Sequence, residues 1–205
     1  MNIFKLILLI IYHPIDCMQI VKREGKFRWR LLLLLYGLAV ASRLVYAYTV
    51  HYPLATKNAE SVNVLLETAV FIVPLISWVI CSYAMTALID GESTFKEQLT
   101  VSAYCTVPYT LFTLISIAVS YIMSLEELGI FNFIRAVGLI WMIILLLVSL
   151  MTLNDYSFSK AIGITVLSLV AIIILWAVLL LLYALTVQMV SLIYNVIKEI
   201  RFKIG

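Results

Sequence analysis

Five strongly apolar runs dominate the chain, at residues 31–50, 64–88, 99–123, 134–153 and 162–187, and short polar connections separate them. A bilayer core ~30 Å thick is crossed by ~20 helical residues, so each run is long enough to span, some with tilt. Runs this continuous lack the in-out alternation of a membrane β-barrel strand, and a backbone exposed to lipid satisfies its own hydrogen bonds as a helix. The pattern therefore predicts an all-α, integral membrane helical bundle of five transmembrane helices. Amphipathic interfacial helices flank it on both sides. Residues 1–12 are apolar apart from Asn2 and Lys5, too short to cross, and closed by Pro14. Asp16 and a basic cluster follow instead of a small-residue cleavage site, so this segment reads as an interfacial helix and not a signal peptide. Near the other end, Met189, Ile193, Val196, Ile197, Ile200 and Ile204 recur at helical spacing opposite Asn195, Lys198, Glu199 and Arg201. That tail is expected to lie on the membrane or on a partner. The chain divides into a cytoplasmic interfacial helix and basic segment (1–30), a five-helix membrane domain (31–187) and an amphipathic carboxyl-terminal helix (188–205).

Composition sharpens this reading by exclusion. The 205 residues are 64% hydrophobic and 12% charged, with a mean hydropathy of +1.12, far from the ~45–50% apolar and ~25% charged residues of soluble domains. A water-soluble enzyme, a nucleic-acid binder with a basic globular face and a disulfide scaffold are all excluded. Cys17, Cys81 and Cys105 are too few and too scattered for a zinc site or disulfide framework, and His13 and His51 are the only histidines. No HExxH, GxGxxG, GxSxG or P-loop pattern occurs. No catalytic residue, metal or cofactor is expected.

The net charge of +3 matters less than its placement. Lys5, Lys22, Arg23, Lys26, Arg28 and Arg30 precede the first span, whereas the connection after it, 51–63, carries only Lys57. The positive-inside rule then puts the amino terminus in the cytoplasm. Five crossings place Lys198, Arg201 and Lys203 outside, which the rule disfavours; a stop or re-entry within 162–196 would return them inside. The basic segment Lys22, Arg23, Lys26, Arg28 and Arg30 should also attract anionic headgroups, by ~1 kcal/mol per residue near the surface.

Few residues offer chemistry. Arg43 lies within the first span, ~10 Å below its outer boundary, and Glu67 enters from the same side to ~5 Å. The two can meet as an intramembrane ion pair, either a coupling or substrate site or a structural clip. An arginine that snorkels outward is the third option. Pro74 and Pro108 fall near the midplane of antiparallel spans, as a transport site or as ordinary kinks. The cytoplasmic loop of Asp90, Gly91, Glu92, Ser93, Thr94, Phe95, Lys96 and Glu97 is the densest polar cluster between spans. Gly91 suits the left-handed position that ends a helix, and Thr94 with Glu97 forms a capping box that begins the next. Its carboxylates either bind a cation or basic partner or form a solvated turn. Ser102, Ala103, Thr106, Thr110, Thr113 and Ser116 make a small, weakly polar surface suited to helix packing or to lining a path. Trp29 at one boundary and Tyr46, Tyr48 and Tyr52 at the other read as aromatic anchors.

The loop followed by Ala103, Tyr104, Cys105, Thr106, Val107, Pro108 and Tyr109 resembles the signature of the Yip1 domain family, with Tyr104 and Pro108 at the family's third-helix Tyr and Pro. The opening His13, Pro14, Ile15, Asp16, then Ile20 to Lys26, is similar to bacterial members. The resemblance implies five membrane helices and a cytoplasmic amino terminus. Eukaryotic members reside in Golgi and endoplasmic reticulum membranes, bind Rab GTPases and assist vesicle formation, so a trafficking factor is the implied role if the source is eukaryotic. The long amino-terminal Asp-Leu-Tyr-Gly-Pro region of those proteins is absent from this sequence, and a bacterial plasma-membrane member is expected. The expected function is a non-enzymatic scaffold or accessory subunit that assembles with the bilayer, with other integral membrane proteins such as ABC-type transporter subunits, or with itself. A small oligomeric permease is the alternative.

Overall fold

The computed structural model describes residues 10–24, 29–50 and 62–204. Among them every regular element is helical: α1 (Pro14–Glu24), α2 (Trp29–Thr49), α3 (Val64–Leu88), α4 (Phe95–Ser120), a 3₁₀ turn (Leu125–Glu127), α5 (Leu128–Asn154) and α6 (Phe158–Ile204). The helices α2 to α6 are each long and apolar enough to cross a membrane. The chain is an integral membrane helical bundle.

Each start has a local cause. Asn63 caps α3, its Oδ1 accepting from the amides of Leu65 and Leu66 at 3.0 and 3.2 Å. Thr94 caps α4 in a reciprocal box: Glu97 accepts from the Thr94 amide at 2.8 Å, and the Glu97 amide donates to Thr94 Oγ1 at 3.4 Å. Helical residues 10–12 stop at His13, so the break falls at Pro14 as expected, and Pro14 itself opens α1, where the first helical position suits proline because its missing N–H has no partner there anyway. Both Pro74 and Pro108 lie inside helices that run on past them.

The bundle is built around α4. Every residue from Thr100 to Thr110 is buried, and α4 packs most extensively on α5, then on α2, with α3 and α1 adding smaller faces. Gly138 of α5 sets the closest approach: a Cβ there would sit 2.6 Å from Phe112 Cβ on α4. The hydroxyl surface of α4 serves this packing. Thr106, Thr110, Thr113, Ser116 and Ser120 each donate to a carbonyl three or four residues back in their own helix. Bonded this way, the hydroxyls behave as small residues and leave no unpaired donors inside.

α1 is a working part of the core. Cys17 and Met18 are buried among residues of α2, α4 and α5, with Val21 packed beside them. α6 is peripheral and a single helix, with the tail from 188 continuing the last span unbroken. Ala161, Ile164 and Ser168 form its buried stripe, while all positions from 176 to 195 are exposed.

Candidate functional site

Two polar centres occupy opposite ends of the bundle. At the end that gathers α1, the α3–α4 loop and the α5–α6 junction, buried Gln98 is the hub. Its Nε2 donates to Thr86 Oγ1 at 2.9 Å and Ser93 Oγ at 2.8 Å, and its Oε1 accepts from Ser82 Oγ at 3.0 Å. Thr86 already donates to the Tyr83 carbonyl, so it can only accept from Gln98, which fixes the orientation of the amide. From the α5–α6 junction, Asn154 Oδ1 accepts from the Ser93 amide at 3.1 Å, and Tyr156 donates to the Ile89 carbonyl at 3.1 Å. Lys22 Nζ then closes the end ionically, 2.5 Å from Asp155 and 3.3 Å from Glu92. Its hydrogen bond to Asp155, with a second to Glu92, raises the ammonium above its ordinary pKa of 10.5 against a smaller opposing effect of burial.

The loop is thus pinned from three sides. Gly91 does not take the left-handed conformation expected of it; Asp90 does, with φ of 51°, because the helix ends one residue earlier and aspartate tolerates that region. Glycine is needed at 91 for room. A Cβ there would meet Asn154 Oδ1, the Thr86 carbonyl oxygen and Tyr156 Oη, each at 2.8 Å. Asp90, Glu92, Thr94, Phe95 and Lys96 form the exposed rim, and Glu97 is half-buried in its cap. Among the described residues no group of three His, Cys, Asp or Glu side chains could hold a metal ion.

At the far end, Arg43 and Glu67 do meet. Nε and Nη2 of Arg43 both lie 3.1 Å from Glu67 Oε2, and Nη1 donates to the Tyr109 hydroxyl at 3.3 Å. The carboxylate is the more enclosed partner, its side chain 8% exposed against 25% for the arginine. Phe71, one turn from Glu67, stacks on Tyr109 with ring centroids 5.0 Å apart. A half-buried ion pair of this kind orients three helices through one guanidinium.

Sequence reasoning passed over Arg135, which marked the edge of an apolar run. α5 begins at Leu128 and carries Arg135 about two turns inside. Its guanidinium lies 4.2 Å from the ring centre of Tyr46, and Phe131, one turn earlier, stacks on the same ring at 6.3 Å. Tyr46 is therefore held within the bundle and is not an outward anchor, whereas Trp29 and Tyr48 are exposed as expected. Tyr104 and Pro108 are buried at the centre of α4. Arg23 and Arg30 are exposed, while Lys26, Arg28 and Tyr52 lie outside the described residues, as do the side chains at 196, 197 and beyond Lys198.

A family model described as the Yip1 domain matches residues 8–180. No curated protein and no solved structure matches.

Proposed function

The chain belongs to the Yip1 domain family, and on that premise we propose that it is a non-enzymatic membrane scaffold or accessory subunit that assembles with other integral membrane proteins. One observation carries the reading. The apolar stretch of α6, Phe158–Asn195, is 38 residues long, ~57 Å at 1.5 Å per residue, against a hydrocarbon core of ~30 Å. Only its first half rests on the chain's own bundle, and positions 176–195 present apolar side chains on every face. Fitting the whole stretch into the core by tilt alone requires more than the ~40° that membrane helices reach. Surface of this size on a protein most of whose described inward polar groups are bonded within the chain supports a role in assembly.

The partners we propose are membrane proteins, including transporter subunits of the ATP-binding-cassette type, with the exposed rim of loop 90–98 and the basic segment as the polar contacts. Arg23, Arg30, Lys96 and Lys160 share the end that carries Lys22, which supports a cytoplasmic amino terminus; the membrane we propose is a plasma membrane. The test is a crosslinking pull-down from native membranes with photo-reactive residues at 180, 184 and 187, read by mass spectrometry. Stoichiometric recovery of another integral membrane protein is the expected result. Recovery of lipid and the chain alone refutes assembly with a partner, and solute flux in proteoliposomes would then favour an oligomeric permease organised around Arg43 and Glu67.

A further inference from the structure

Tyr46 lies against one arginine and within electrostatic reach of a second. Phe131 and Arg135, one turn apart on α5, grip its ring from α5, and its hydroxyl is also within electrostatic reach of Arg43 and Tyr109. That hydroxyl is buried and makes no hydrogen bond. Buried donors are almost always paired, and leaving one unmade costs about as much as a lost hydrogen bond. Arg135 is half-buried, and its described contact is the Tyr46 ring; among the described residues it has no carboxylate within ion-pair distance. Among the described residues, Arg43 and Arg135 against Glu67 leave this group one positive charge in excess.

An orphaned O–H donor on a ring that a guanidinium covers, with a second guanidinium in electrostatic reach, calls for an oxyanion. We propose that this end of the bundle binds a phosphate group, held by Arg135, the Tyr46 hydroxyl and the free donors of Arg43. The depth selects the source. Arg135 lies seven residues from the start of α5 and Arg43 six from the end of α2, ~9–11 Å along each axis. α2, with 21 residues, just spans the ~30 Å core, and Arg43 lies deeper, on Glu67 and Tyr109; α5, with 27 residues, overruns the core, and an arginine side chain reaches outward by snorkelling, so the Arg135 guanidinium comes to the headgroup boundary. The phosphate of an anionic phospholipid sits there. Guanidinium forks match its oxygens, and the bond to the Tyr46 hydroxyl is charge-assisted. The site is independent of any protein partner.

The experiment uses the full chain in phosphatidylcholine nanodiscs doped with phosphatidylglycerol, with retained lipid counted by native mass spectrometry and thermal stability measured in parallel. The wild type is expected to retain phosphatidylglycerol in preference to phosphatidylcholine. Arg135→Gln should weaken that retention about tenfold or more, and Tyr46→Phe by several-fold, as expected for lost charge-assisted bonds. Tyr46→Phe removes only the orphaned hydroxyl, so in pure phosphatidylcholine it should unfold no earlier than the wild type; it decides the matter if Arg135→Gln misfolds. Neutralising Arg23 and Arg30 should leave this retention in place. Equal retention by the wild type and Tyr46→Phe, or complete loss on neutralising Arg23 and Arg30, overturns the proposal. Stabilisation by inorganic phosphate in pure phosphatidylcholine, lost in Arg135→Gln, would keep the phosphate site and assign it a soluble ligand.

Discussion

Replacing Gln98 with leucine isolates the polar hub, because the two side chains are close in volume and no large cavity follows. Gln98 is 5% exposed, and the substitution deletes three neutral hydrogen bonds, to Ser82, Thr86 and Ser93. At ~1 kcal/mol net per bond the loss is ~3 kcal/mol. Ser82 and Thr86 keep their bonds to the carbonyls of Val79 and Tyr83, which limits the damage. The added apolar burial of leucine returns ~1 kcal/mol, leaving a net destabilisation of ~2 kcal/mol. Thr106→Val is the control: Thr106 is fully buried, but its hydroxyl bonds only the Ala103 carbonyl of its own helix, so the change should cost under ~0.5 kcal/mol. Reversible unfolding in mixed micelles, titrated with sodium dodecyl sulfate, measures both. A Gln98→Leu effect no larger than that of Thr106→Val would refute the assignment of Gln98 as the hub.

Three further outcomes follow from the same geometry. Gly91→Ala should destabilise by ~2–4 kcal/mol, because the new methyl meets three oxygen atoms at 2.8 Å and one belongs to the backbone, whereas Gly163→Ala, with nothing within 4 Å, should be neutral or stabilise by ~0.5–1 kcal/mol; thermal denaturation of the pair checks this. Arg43→Ala and Glu67→Ala should each cost ~2–4 kcal/mol by stranding a charge, with the double variant no worse than either single one, and strictly additive losses would contradict the pairing. Burial pushes the Cys17 thiol from 9.0 up to about 11, and the Lys22 ammonium is raised above 10.5; both raised groups add stability that is present at lower pH and is lost as pH climbs through the folded values. Stability should therefore be flat below pH 9.0 as far as these groups go and fall above it, while Lys22→Met should speed maleimide labelling of Cys17, followed by peptide mass spectrometry, as α1 loosens.

Much of the fold was legible because lipid removes choices: a run of twenty apolar residues has one economical backbone conformation. The span at 64–88 coincides with α3, and the Thr94–Glu97 box marks the start of α4 at Phe95, four residues ahead of its apolar run. The Arg43–Glu67 approach was legible from depth, since both residues lie within ~10 Å of the same boundary on adjacent antiparallel helices and the long arginine side chain spans the difference. Tertiary partners were not. Gln98 belongs to α4 and Asn154 and Tyr156 to the distant α5–α6 junction, and no local pattern announces that they converge on Ser93, Thr86 and Ile89. Arg135 was missed because a charge reads as the end of an apolar run unless an aromatic ring is known to cover it. The inward face of α1 was hidden too: its apolar positions are few, and burial of Cys17 and Met18 depends on α4 and α5 offering a groove.

α6 poses the sharpest physical problem in the molecule and also limits its solutions. From Ile164 to Ile204 it contains neither glycine nor proline, the residues at which long helices most often kink. Folding the distal half back into the same bilayer would break hydrogen bonds along the helix with no residue prepared to absorb the turn. Its proximal stripe of Ala161, Ile164 and Ser168 is small and packs against α3, where the polar hub also anchors, so the base of the helix is fixed. A fixed base and an unbroken rod leave the distal apolar surface one way to escape water, which is cover supplied from outside the chain. The same rod carries Lys198 at its distal end. Whatever covers α6 thus decides where the tail's basic residues lie, and the positive-inside conflict in the sequence and the uncovered helix in the structure are one question.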